Sequence, residues 1–169
     1  MNRGRRAFIV TGALGAAALA AGGWLRFGAS ARVDALLGDD ARGIVRAMVP
    51  AFLAGALPDD AQRTQAIREA TDAVSVAVAG LPLEAQRELA QLFALLAFAP
   101  TRVAMTGLWS DWPHATTAEV DAVLVRWQTS RLSLLRSAYD GLHQLILAAW
   151  YGNPRAWAAI GYAGPPQLT

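Results

Sequence analysis

Cysteine and lysine are both absent from the 169 residues, and only two histidines are present. The missing thiol excludes thiol catalysis, disulfide stapling, cysteine-ligated zinc, iron–sulfur clusters and cysteine-linked haem. The missing amine excludes a Walker-type phosphate loop, Schiff-base chemistry and a Tyr-Lys reductase pair. With no cross-link available, the fold must stand on packing or on a partner. Carboxylates are missing from one region only. All thirteen acidic residues lie after position 31, while four of the fifteen arginines (Arg3, Arg5, Arg6, Arg26) lie before it. The formal charge of +2 therefore belongs to the N-terminal stretch. The remainder sets eleven arginines against thirteen carboxylates and offers no basic footprint for nucleic acid.

That N-terminal stretch is the most informative part of the chain. Arg5 and Arg6 stand before Ala7, Phe8, Ile9 and Val10, and an uncharged run rich in Ala, Gly and Leu continues to Trp24. Ala29-Ser30-Ala31 then fits the small-x-small cleavage pattern. A basic start, an apolar middle and an A-x-A site read as an export signal over residues 1–31, and the paired arginines make it a twin-arginine signal. Residues 32–169 are then a single domain of a size that buries a real core. Ile9 to Gly15 has the look of a strand entering a glycine-rich nucleotide loop, but Ala and Leu fill positions 16–21 and no second strand follows. The apolar run is also at the short end for a membrane span of about 20 residues. If the leader is retained, it tethers the protein to the inner membrane.

Helical spacing governs the rest. A helix is expected over roughly 41–55, capped by Asp39 or Asp40 and ended or kinked by Pro50. Asp59-Asp60 is expected to cap a second helix reaching Ala79; its strand-like Val74–Val78 segment has no hairpin partner and is assigned to the helix. A third runs from about Leu83 to Ala99 and is ended by Pro100, after which 101–115 reads as the least regular part. Thr116-x-x-Glu119 has the form of a capping box and opens a fourth helix. The longest and most apolar helix follows, over about 131–151, with Leu135, Tyr139, Leu142, Ile146 and Trp150 in one stripe and Leu134, Ala138, Leu145 and Ala149 beside it. The fold class is therefore all-α, an irregular bundle of about five to six helices around a central C-terminal helix, preceded by the signal helix. A short helix begins at Asn153-Pro154, within an extended tail over 152–169.

Candidate chemistry is sparse. Asp140 and His143 share a helix face, which is half of a di-metal bundle site, but no second copy accompanies them. The paired aspartates stand at helix starts, where capping accounts for them. No nucleophile elbow is present. No catalytic, cofactor-binding or metal-binding residue is assigned. Tryptophan is what exceeds expectation: Trp109, Trp112, Trp127, Trp150 and Trp157 all follow the leader. Trp127 and Trp150 fit core stripes. Trp109, Trp112 and Trp157 lie near turns, where large aromatics either fill the space under loops or form the centre of an interface.

The tail carries a resemblance. Trp150-Tyr151-Gly152-Asn153-Pro154, then Trp157, then Gly161-Tyr162-Ala163-Gly164-Pro165-Pro166 resembles the closing motif of small, twin-arginine-bearing subunits that accompany large FAD-dependent dehydrogenases of the glucose–methanol–choline type, relatives of the third subunit of gluconate 2-dehydrogenase. The match falls on Tyr151, Gly152, Pro154, Trp157, Gly161, Tyr162, Gly164, Pro165 and Pro166, with the aromatic Trp150 before them. The resemblance implies a non-catalytic accessory subunit of an oxidoreductase complex, with no cofactor of its own and FAD on the partner. It implies that this subunit escorts the flavoprotein through the twin-arginine translocase into the periplasm and stays bound to it through these tail residues. Arg5, Arg6, Phe8 and Ile9 would then form the translocation signal, with Ala29 and Ala31 at its cleavage site. Trp109–His114 falls on no motif of that family. The alternatives are a self-sufficient exported helical protein binding a metal or haem, and a membrane-anchored adaptor passing electrons to quinone.

Overall fold

The computed structural model describes residues 38–157 and 160–163. The signal residues Arg5, Arg6, Phe8 and Ile9, the cleavage residues Ala29 and Ala31, and the tail residues Gly164, Pro165 and Pro166 lie outside them. Seven α-helices make up the described chain: α1 (Asp39–Phe52), α2 (Arg63–Ala79), α3 (Leu83–Ala97), α4 (Ala99–Thr106), α5 (Thr117–Gln128), α6 (Ser133–Tyr151) and α7 (Pro154–Trp157). A 3₁₀ turn over Trp112–His114 lies between α4 and α5. The protein is an all-α irregular bundle, and its described residues contain no strand.

Helical periodicity places the core. On α1, Ala41, Ile44, Val45, Met48 and Val49 are buried at the spacing of a single stripe, and on α5 so are Val120, Val123, Leu124 and Trp127. Burying each such aliphatic side chain stabilises the fold by about 1.5–3 kcal/mol. The long helix α6 packs against α1, α2, α5 and α7, burying Ala138, Leu142, Ile146, Ala149 and Trp150. Its start is open to solvent, since Leu132 and Leu134 are both exposed. The first helix α1 is as central: it meets α2, α3, α5, α6 and the 3₁₀ turn.

Several boundaries move for physical reasons. Neither Asp39 nor Asp40 caps α1; Gly38 holds the cap position and both carboxylates lie in the first turn, where they complement the helix dipole. Pro50 falls in the last turn, and α1 ends two residues later at Phe52. Asp60 accepts from the Gln62 N–H at 2.8 Å, and Asp59 pairs with Arg63 at 3.1 Å, so the acidic pair organises a turn before α2 rather than its cap. Val74–Val78 lies within α2, as expected of a strand-like segment lacking a hairpin partner.

The largest difference follows Pro100. Phe98 is extended (φ −73°, ψ 117°), and the chain turns by 93° there into α4, with Pro100 in its first turn. A proline that ends one helix is equally suited to begin the next, because its missing N–H would lack a partner in a first turn anyway. This division raises the helix count among the described residues to seven, against the expected five to six. No single described helix is long and apolar enough to cross a membrane.

Candidate partner-binding surface

Helix ends leave carbonyls without intrahelical partners, and in this protein indole N–H groups supply three of the missing bonds. Trp112 Nε1 donates to Leu96 O at the end of α3, Trp127 Nε1 to Met105 O at the end of α4, and Trp157 Nε1 to Tyr151 O at the end of α6, each at 2.8 Å. Backbone and hydroxyl donors complete two of these termini. At α3, Phe98 N–H reaches Ala94 O and the Thr101 hydroxyl reaches Leu95 O. At α4, Gly107 N–H reaches Val103 O and the Arg126 guanidinium reaches Thr106 O. Much of the tryptophan excess thus serves helix termination. Gln86 does the same for α2, donating from Nε2 to Ala79 O and Leu81 O.

This changes the roles of the tail aromatics. Trp150 is 3% exposed and belongs to the core. Its position on the inward stripe of α6 is the reason. Trp157 is half-buried, its polar edge is committed to Tyr151 O, and its ring meets Tyr162 edge-on at 5.3 Å. What faces outward is Tyr151, Ile160 and Tyr162. The described tail is not extended. Asn153 Oδ1 accepts from Arg155 N–H and its carbonyl from Ala156 N–H, opening α7, and Tyr162 N–H returns to Trp157 O at 3.0 Å. Gly152 has helical angles (φ −68°, ψ −15°), so it stops α6 without a left-handed turn. Gly161 does adopt the left-handed region (φ 67°), which favours glycine there.

Arg155 fixes this tail to the bundle. Its guanidinium donates to Glu69 Oε2 at 2.8 Å and also to Gln62, both contributed by the α2 region. The Arg155 hydrogen bond, with a second from Gln65, holds the Glu69 carboxyl below its ordinary range. Pro154 is exposed at the start of α7, and Ala156 beneath it is buried.

Other polar groups assemble less. Asp140 is exposed, whereas His143 is half-buried, stacked on Tyr139 at 5.5 Å and tilted against Phe52 at 5.5 Å. The spacing that puts them on one face leaves them facing different surroundings. Among the described residues no three His, Asp or Glu side chains gather as a metal site would require. A shallow cavity of ≈ 300 Å³ between α1 and α2 is lined by Asp39, Arg42, Gly43, Arg46, Arg68, Thr71 and Asp72. Arg42 in that cavity pairs with Asp72 and donates to Ser75. In the Trp109–His114 stretch, Trp112 is buried, Trp109 is 85% exposed, and Asp111 pairs with His114, which holds the Asp111 carboxyl below its ordinary range. Arg102, which sequence reasoning passed over, is buried on α4.

Compared with protein-family models, curated proteins and solved structures, the chain matches none.

Proposed function

We propose that this chain is a non-catalytic accessory subunit. In this reading it escorts a large FAD-dependent dehydrogenase of the glucose–methanol–choline type through the twin-arginine pathway and stays bound to it in the periplasm. The flavin belongs to the partner. The observation that carries the reading is the tail: an aromatic edge of Tyr151 and Tyr162 beside Trp157, anchored to α2 by Arg155 and terminated by its own indole hydrogen bond. A surface fixed in advance loses little entropy on docking. Exposed aromatics over a rigid support are what the centre of an interface requires. The leader supplies the second support, because a folded pair crosses together on one signal.

The test is co-purification of the flavoprotein with tail variants. Tyr162→Ala removes an exposed ring and leaves the Trp157 indole bond in place. It should weaken association by about 2 kcal/mol if Tyr162 is a central anchor. Trp157→Ala should weaken it at least as much, since it also releases the end of α6. Unchanged co-purification after removal of residues 153–169 would overturn the assignment of the tail.

A further inference from the structure

The corner between α5 and α6 is exposed, apolar and basic at once. Leu132 and Leu134 are 65% and 66% exposed, and neither packs on the core. Leu132 also holds the cap position of α6, where a leucine side chain has nothing to offer the first amides. Neither leucine therefore serves the free chain. Arg131 and Arg136 flank them, both exposed, with Arg136 donating to Ser130 O at 2.6 Å across the turn. The nearest carboxylates along the chain are Asp121 and Asp140, and no ion pair among the described residues includes Arg131 or Arg136. Residues 122–139 thus hold three arginines and not a single acidic residue.

We infer that the α5–α6 corner, with Leu132 and Leu134 set between Arg131 and Arg136, docks on an anionic phospholipid surface. Guanidinium groups suit headgroup phosphates, and their apolar stems let them stay at headgroup level while the leucines enter the acyl boundary. A protein partner is the weaker fit. The energetic centres of protein interfaces favour Trp, Tyr and Arg, with leucine under-represented, and the one tryptophan of this stretch, Trp127, is buried. The leader points the same way. Its uncharged run from Ala7 to Trp24 reads as a segment that enters a membrane, so this domain is delivered to a lipid surface. The inference stands on the corner and the leader, apart from the escort reading.

The sequence has no cysteine, so Ser133→Cys in the full chain carries a single polarity-sensitive fluorophore between the two leucines. It is mixed with vesicles of phosphatidylcholine, with or without phosphatidylglycerol. Tyr151→Cys, at the other end of α6, is the control for lipid brought near by the leader alone. The label at 133 should shift to the blue with the phosphatidylglycerol vesicles, and the label at 151 should not. Arg131→Glu should raise the lipid concentration needed for half the shift about tenfold or more, without lowering the melting temperature. Equal shifts at both positions would overturn the inference, because the leader would then be bringing the whole surface to lipid. So would a shift indifferent to phosphatidylglycerol or to Arg131→Glu. A label at 133 that responds to the co-expressed flavoprotein and to neither vesicle would also overturn it, and would give the corner to the protein.

Discussion

The indole of Trp112 donates to the carbonyl of Leu96 across sixteen residues of chain, at 2.8 Å. That bond ties the 3₁₀ turn to the end of α3, and the turn in turn packs against α1. Trp112→Phe keeps most of the apolar burial and leaves the Leu96 carbonyl without its donor. The expected loss is about 1–3 kcal/mol, read as a lower midpoint in urea unfolding at unchanged slope. An unchanged midpoint would mean that another donor replaces the indole.

Gly107 ends α4 in the left-handed region (φ 68°), beneath the Arg126 guanidinium that reaches back to Thr106 O. A Cβ at this position would lie 2.9 Å from Nη1 of Arg126, a flexible group that can give way. The backbone cost therefore dominates. Gly107→Ala should destabilise the fold by about 1–2 kcal/mol, and Gly107→Asn by less, because asparagine tolerates this conformation better. Thermal melts of the two variants check the order. Equal losses would point to the side-chain clash instead.

What the sequence made legible was local. The capping box is present in full: Thr116 N–H donates to Glu119 at 2.8 Å and Glu119 N–H to the Thr116 hydroxyl at 3.2 Å. Both partners lie within four residues, so spacing alone reveals them. The inward stripe of α6, with Leu142, Ile146 and Trp150 buried, was readable for the same reason, although Leu134, grouped beside it, is exposed. The order of residues 101–115 was not, because it depends on Trp112 and Trp127 finding carbonyls sixteen and twenty-two residues away. Nor could spacing separate a tryptophan that terminates a helix from one that meets a partner. Trp157 was visible as an aromatic near a turn, but its commitment to Tyr151 O was not. Arg102 gave no signal at all, since its burial is a property of the folded surroundings.

The tail contact carries a pH dependence. Hydrogen bonds from Arg155 and Gln65 lower the Glu69 pKa from its ordinary 4.5. A depressed carboxylate pKa stabilises the folded contact above the unfolded value, and this contribution is lost as pH falls through the folded value. The tail should therefore stay pinned to α2 at neutral pH and loosen in acid, below pH 4.5. Protection of the amides over residues 153–157, taken relative to their intrinsic exchange rate at each pH, should fall there, and Glu69→Gln should abolish that transition. An identical acid transition in Glu69→Gln would assign the effect to another group.

The central claim is that one leader serves two polypeptides, and the most direct measurement concerns the other one. Dehydrogenase activity with an artificial electron acceptor is compared in periplasmic and cytoplasmic fractions of cells carrying the wild-type chain or the Arg5→Lys, Arg6→Lys double variant. Conservative lysines keep the charge and disable only the paired-arginine signal. The escort account expects the flavoprotein to reach the periplasm with the wild-type chain and to remain in the cytoplasm, active, with the double variant. Periplasmic dehydrogenase at wild-type levels in the double variant would contradict it, because the flavoprotein would then cross without this chain.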